Sequence, residues 1–392
     1  MTSVHDLVSG LASMKVGPPV VSLYLDTGWR DEQQRDRVRL LFRDRAREAR
    51  QIFDGQTDDA RGLERTLDSI AGFVDEIVNQ DIHDGAPGVA LFASEPRGLF
   101  QDYRLPGPPQ PDFLLDTRPR ILPLVRVLSE IPPALIVSID SHRAEILDLR
   151  IDESDQHAVE RDVPNRHKSG GWSQRRLSRD MRRQIHDVWR ESAHVLEQLV
   201  ANEEPRDVLL FGQEPNIRGF ERLLPIALKT RVIAREPAPE DGNALRRRAR
   251  EILAEARLQG DRMTVRHILR QGLSGRTATT GLDDTLMAVN GRRVRVLAMS
   301  ERFNGIGREC RICGGLWTTG AAGCVFCNGA TDPVALREAL TNRCMREKAD
   351  VIVVPDGEPL DAYHGIGALL RHLSGREREQ GPMSRETAPA TA

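Results

Sequence analysis

The chain has 392 residues, too many for one ordinary hydrophobic core, so two or three domains are expected. Its formal net charge is -2 with 29% charged residues, which excludes a uniformly basic polycation or an acidic tail protein. Any contact with nucleic acid has to come from local segregation of charge.

The first domain is expected over residues 1–130. Val20 to Leu25 reads as an apolar strand ended by Asp26-Thr27-Gly28. Two helices follow, roughly Asp31 to Phe53 and Asp58 to Asn79. In the second, Leu63, Leu67, Ile70, Val74 and Ile77 mark one face at helical spacing. Strands are expected at Gly88 to Phe92 and Phe113 to Leu115, with the proline-rich Leu105 to Pro111 as the loop between them. Its His and Asp residues are scattered, as in an α/β scaffold rather than a catalytic domain.

Ile131-Pro132-Pro133 leads into a second domain over residues 131–236. Ala134 to Ile139 and Ala144 to Leu149 read as a hairpin, and a strand around His157 to Val163 comes next. The ten residues His167 to Arg176 then place Gly170-Gly171 at a turn, with Trp172 and the amide Gln174 just beyond. The helix after them carries Met181, Ile185, Val188, Val195 and Leu199 on its apolar face. Around this stretch Arg166, Lys168, Arg175, Arg176, Arg179, Arg182 and Arg183 are opposed only by Asp180. An isolated basic run is usually a solvated helix face. Here it adjoins His167, a glycine turn and an aromatic ring, which suits phosphate contact and base stacking on RNA. Val208 to Gly212 reads as a buried strand and Ile217 to Leu228 as a short helix.

A linker at Pro237 to Gly242 opens the third domain, residues 237–373. Helices are expected at Ala244 to Leu258, Arg262 to Gln271, Leu282 to Val289 and Pro333 to Glu347, and strands at Val294 to Met299 and Val351 to Val354. Gly365-x-Gly367 reads as a turn opening a final helix, and residues 374–392 as a disordered tail. Four of the five cysteines form Cys310-x-x-Cys313 and Cys324-x-x-Cys327, ten residues apart. Two such turns aim four thiolates at one centre, the ligand set of a closed, structural zinc site in a ribbon over 308–329. The other reading, two redox pairs, lacks the flanking strand and helix of a thioredoxin-like site. Cys344 is expected to be a plain thiol.

No Walker-type phosphate loop, Ser-His-Asp set or Cys-His set is present, and His142 beside Asp140 reads as turn chemistry. No stretch reaches the apolar length of a membrane span, and Met1 to Leu11 lacks a signal-peptide pattern, so a cytoplasmic protein is expected.

Arg166-His167-Lys168-Ser169-Gly170-Gly171 and the Arg-rich helix resemble the Gly-Gly-Gln loop and helix of the eukaryotic and archaeal class-1 peptide release factors and Pelota. Ala134 to Asp140 is similar to the strand opening their central domain, and Leu282 to Val289 and Gly365 to Arg371 to segments of their third. Some members carry a Cys-rich insertion where Cys310 to Cys327 stand. The resemblance spans most of residues 131–373. An ungapped alignment puts Trp172 at the family's glutamine, with Gln174 two places later. Looser bacterial branches tolerate such an offset, so the glutamine's role falls to Gln174. No Asn-Ile-Lys-Ser motif occurs in residues 1–130, which favours ribosome rescue or quality control over stop-codon reading.

The resemblance implies an α/β protein of three domains. The central one would carry a mixed sheet and a protruding Gly-Gly loop, the third an α/β sandwich with an inserted zinc ribbon. It implies a peptidyl-tRNA hydrolase with Gly170, Gly171 and Gln174 as catalytic residues. Its partners would be the ribosome, through large-subunit rRNA and peptidyl-tRNA, and a translational GTPase, with no membrane. The alternatives are a hibernation factor that occupies the A site without hydrolysis, and an RNA-binding adaptor with an inactive loop.

Overall fold

The computed structural model describes residues 4–29, 31–52, 58–79, 87–140, 143–149, 154–160, 173–201, 206–239, 241–272, 277–318, 323–355 and 359–371. In chain order the elements begin α1 (Val4–Ala12), β1 (Val20–Asp26), α2 (Glu32–Ile52), α3 (Asp58–Asn79), β2 (Gly88–Ser94), β3 (Leu99–Leu105), β4 (Asp112–Asp116) and α4 (Leu122–Glu130). Next come β5 (Ala134–Ile139), β6 (Arg143–Leu149), β7 (Ser154–Glu160), α5 (Ser173–Ala201), β8 (Asp207–Gly212), α6 (Glu214–Leu223), α7 (Ile226–Lys229) and β9 (Val232–Glu236). The remainder is α8 (Gly242–Gly272), β10 (Ala278–Thr280), α9 (Leu282–Asn290), β11 (Val294–Ser300), β12 (Ile306–Cys310), β13 (Leu316–Trp317), β14 (Thr331–Ala335), α10 (Leu336–Arg346), β15 (Asp350–Val354) and β16 (Ile366–Leu370). The fold is mixed α/β with four sheets among the described residues.

Two compact units share these elements: residues 18–115 with 130–256, and residues 2–17 with 116–129 and 257–392. The first holds two sheets with separate cores. In the N-terminal sheet, ordered β3-β2-β1-β4, Val21, Leu23, Leu25 and Leu91 face Val38 and Phe42 of α2 and Leu63, Leu67, Ile70 and Val74 of α3. The five-stranded sheet, ordered β7-β6-β5-β8-β9, is mixed: β5 pairs antiparallel with β6 and parallel with β8. Its central strands are apolar on both faces because both are covered. Leu135, Val137, Ile139, Val208 and Leu210 meet α5 and α6, while Ala134, Ile136, Leu209 and Phe211 meet Ala249, Ile252 and Leu253 of α8. Alternation with period two divides the strands between these layers.

The second unit has a mixed sheet, ordered β10-β16-β11-β15, backed by Val265 and Ile268 from the later part of α8. A three-stranded ribbon, β13-β12-β14, carries the cysteines. The Asn290 side chain clamps its short strand, donating to the Leu316 carbonyl (2.6 Å) and accepting from the Leu316 N–H (2.9 Å).

Several expectations change. The helices expected at Ala244 to Leu258 and Arg262 to Gln271 are one helix, α8, which runs through Gly260. A β-carbon on that glycine would meet nothing, and a single glycine costs a helix only about 1 kcal/mol. Gly365 opens a strand, not a helix: its φ is +68° and β16 pairs with both β10 and β11. The helix expected from Pro333 begins at Leu336, because Thr331–Ala335 pairs with β12. Ile217 to Leu228 is two helices broken before Pro225. Helices α1 and α4 and strands β3 and β9 were not foreseen. The residue 374–392 tail lies outside the described residues.

Candidate functional site

Two places carry the chemistry singled out in the sequence. The first is α5. Its second half is anchored: Val188, Ala193 and Leu196 are buried against the sheet, and Ser192 Oγ donates back to the Val188 carbonyl at 2.9 Å. The Trp189 indole N–H donates to the Asp140 carbonyl at the end of β5 (3.1 Å). Its ring lies so close to Gly219 of α6 that a β-carbon there would sit 2.3 Å from Cζ3. The helix begins at Ser173, fifteen residues before Val188. At about 1.5 Å per residue, its start lies about 22 Å along the axis from that first anchor.

Gln174, Arg175, Arg176, Arg179 and Arg182 occupy backbone positions in the opening turns of α5, and Arg183 is exposed. Positions 175, 179 and 182 share one side of a helix by their spacing. Arg166, His167, Lys168, Gly170, Gly171 and Trp172 lie outside the described residues. The Gly-Gly segment therefore enters the account only as the sequence that precedes α5.

The second place is the cysteine cluster. Cys310, Cys313, Cys324 and Cys327 offer four Sγ atoms within 4.8 Å of one another, with 3.5 Å between Cys310 and Cys327 and between Cys313 and Cys324. Four sulfurs at about 2.3 Å from a tetrahedral zinc would be about 3.8 Å apart, so the set can hold such an ion.

The two halves repeat one local design. Gly314 N–H donates to the Cys310 carbonyl (3.0 Å) and Cys310 N–H to the Gly315 carbonyl (3.0 Å). In the same way Asn328 N–H donates to the Cys324 carbonyl (2.9 Å) and Cys324 N–H to the Gly329 carbonyl (2.9 Å). Gly314 and Asn328 both take positive φ, +68° and +58°, the conformation glycine and asparagine tolerate best. N–H groups point at the sulfurs: Ile312 to Cys310 and Phe326 to Cys324, each at 3.3 Å.

The halves also interlock. Ile312 packs over Gly329 and Phe326 over Gly315, where β-carbons would approach to 2.7 and 2.5 Å. Sequence reading assigned knuckle turns to these glycines; the reciprocal seats for Ile312 and Phe326 are what it missed.

Electrostatics agree with a cation-seeking centre. The N–H groups of Cys313 and Ile312 draw the Cys310 thiol down to about 6, while burial pushes Cys313 up to about 12. Crowded sulfurs resist carrying several negative charges together unless a metal neutralises them. Cys344 is buried, and burial raises its thiol pKa well above the ordinary range, as befits an inert core thiol.

No helix among the described residues is long and apolar enough to cross a membrane.

Comparison with known proteins adds one family. Residues 119–261 match the model of bacterial archaeo-eukaryotic release factor family 10. No curated protein matches the sequence. Among solved structures, an archaeal translation termination factor, aRF1, is 16% identical, with 93% of this chain and 96% of that one covered and a TM-score of 0.26. Dom34 from S. cerevisiae, described as a translation termination-like factor in RNA quality control that interacts with Hbs1, is 9% identical over 73% of this chain and 86% of that one, TM-score 0.36. A model of ribosome-bound archaeal Pelota and ABCE1 is 12% identical over 94% of each, TM-score 0.38. Likeness at these scores says nothing of activity.

Proposed function

For a chain whose residues 119–261 are those of a bacterial archaeo-eukaryotic release factor, and which is thereby a relative of the aRF1 and Pelota family, we propose a ribosome-associated, release-factor-like protein that hydrolyses peptidyl-tRNA during rescue or quality control. The observation that carries the reading is the Gly170-Gly171 sequence joined directly to α5, a basic helix anchored only from Val188 onward. Its partners would be large-subunit rRNA, peptidyl-tRNA and a translational GTPase, and its place of action the cytoplasm. In this reading residues 1–130, 131–236 and 237–373 act as three domains, with the second carrying the loop.

The chemistry follows from the residue types. Water adds to the ester carbonyl, the tRNA hydroxyl leaves, and the peptide departs as a carboxylic acid. Gln174 is a neutral amide and a poor base, so it would orient the water by hydrogen bonding rather than deprotonate it. Gly170 and Gly171 would let backbone N–H groups approach the developing oxyanion, and Trp172 would stack on a base. Arg166, His167, Lys168, Arg175, Arg176, Arg179, Arg182 and Arg183 would hold the element on RNA phosphates.

We assign a structural zinc ion to Cys310, Cys313, Cys324 and Cys327. Four protein ligands close its shell, so it would stabilise the ribbon and leave no open position for substrate.

The test is peptide release from ribosomes carrying peptidyl-tRNA, measured beside ribosome occupancy. Release that depends on added protein is expected. Stable occupancy of ribosomes with no release would overturn the hydrolase assignment in favour of a hibernation role.

A further inference from the structure

Within the second unit, beside the cysteine ribbon, lies a cavity of about 1010 Å³ that the proposed function does not use. It is lined by α10, by the segment before α4, and by the first cysteine turn. Its interior is polar and incompletely satisfied. Among the described residues Glu338 Oε2, Asn342 Oδ1 and Arg118 Nε are buried and have no hydrogen-bond partner. Asn342 is only 5% exposed. A buried polar atom without a partner costs about 1–3 kcal/mol, so three in one cavity call for a ligand that supplies partners.

The arrangement is specific. Glu338 and Asn342 stand four residues apart on α10, on one face, and offer two acceptors side by side. Arg118 enters from another segment, held by its Nη1 bond to Glu309 (2.6 Å), and offers one donor. The complement is an edge with two adjacent donors and one acceptor. Of the common nucleobases only guanine has that edge: N1–H, the N2 amino group and O6. Adenine and cytosine present one donor group there, and uracil places its single donor between two acceptors.

Cations line the same cavity. Arg311 is engaged by Asp332 and Arg343 by Glu347, whereas Arg346, exposed, has no ion pair or hydrogen bond among the described residues. A guanidinium left over beside two others suits a phosphate. The volume suits a mononucleotide.

We propose that this cavity binds a guanine nucleotide, its N1 and N2 donors on Glu338 and Asn342, its O6 toward Arg118, and its phosphate at Arg346. Burial already pushes the Glu338 carboxyl up to about 7, and N–H donors from a base would favour its charged form. A free nucleotide and a single unpaired residue of RNA present the same recognising chemistry.

Equilibrium dialysis of the whole protein tests this. Guanosine monophosphate should bind at least tenfold tighter than adenosine monophosphate, and inorganic phosphate should compete weakly. Asn342→Leu and Glu338→Gln should each weaken guanosine monophosphate tenfold or more. Arg346→Gln alters an exposed position and cannot unfold the core. It should weaken guanosine monophosphate severalfold and leave guanosine, which lacks the phosphate, unchanged. A single-stranded RNA with one guanosine, compared with its adenosine counterpart, identifies the source: preference at least equal to that for the free nucleotide points to RNA, a smaller one to the free nucleotide. Equal affinity for both monophosphates, phosphate binding as tightly as guanosine monophosphate, no binding at all, or folded Asn342→Leu protein binding like wild type would each overturn the proposal.

Discussion

The cysteine ribbon and the start of α5 stand out equally in the sequence, yet they differ in what completes them. In the ribbon every group needed for a metal centre is supplied within Cys310 to Gly329: four sulfurs, the N–H groups aimed at them, and two left-handed residues that close the turns. At α5 the chain supplies a scaffold, a helix anchored from Val188 onward, and the proposed chemistry needs an ester and phosphates this chain does not contain. Local chemistry that a chain completes by itself is written into its fold. Chemistry finished by a partner leaves only its support there.

Removing the metal should separate the two regions most strongly. Cys313→Ser, or chelation, is expected to take zinc from about one ion per chain to below a tenth, read by metal analysis. Hydrogen-exchange protection should then be lost over 306–335 and kept over 134–149 and 207–212. Zinc content unchanged in the variant would refute the centre.

A smaller blow falls on the support of α5. Asp148 and Arg206 form an ion pair with side chains 0% and 2% exposed. Asp148→Ala leaves a buried guanidinium alone, and a loss of about 3–5 kcal/mol is expected in denaturant unfolding of the first unit.

In the second unit Glu338 works in the opposite sense. Its carboxyl pKa lies near 7 when folded against an ordinary 4.5, so the folded state holds the extra proton and stability falls as pH rises between those values. Glu338→Gln should remove that slope and stabilise the unit by about 2 kcal/mol at pH 8, with little change at pH 4. Parallel stability curves for the two proteins would contradict this.

The gentlest test concerns charge. Replacing Arg179 or Arg183 by Gln should weaken ribosome binding modestly and lower its logarithmic salt slope by about 0.7–0.9 for each phosphate no longer neutralised. An unchanged slope would detach α5 from RNA.

Legibility in the sequence follows the range of the interactions. The cysteine spacing, the Val20 to Leu25 strand and the stripe on α3 were readable because spacing alone encodes them. Strand β16 was not: Ile366–Leu370 is buried between two neighbours, so its apolar run lacks the alternation that distinguishes a strand. Strand β3 hid for the reverse reason, since its Phe100, Gln101 and Asp102 are exposed at the sheet edge. The acceptors Glu338 and Asn342 look like ordinary helix-surface residues until α10 is placed beside Arg118, and no local pattern announces that.

The central claim is that Gln174, two places beyond Trp172, serves peptide release. Its most direct test is single-turnover release from saturated ribosomal complexes, wild type against Gln174→Ala, with occupancy measured in the same samples. Equal occupancy with release slowed tenfold or more is the expected result. Equal occupancy with undiminished release would contradict the assignment.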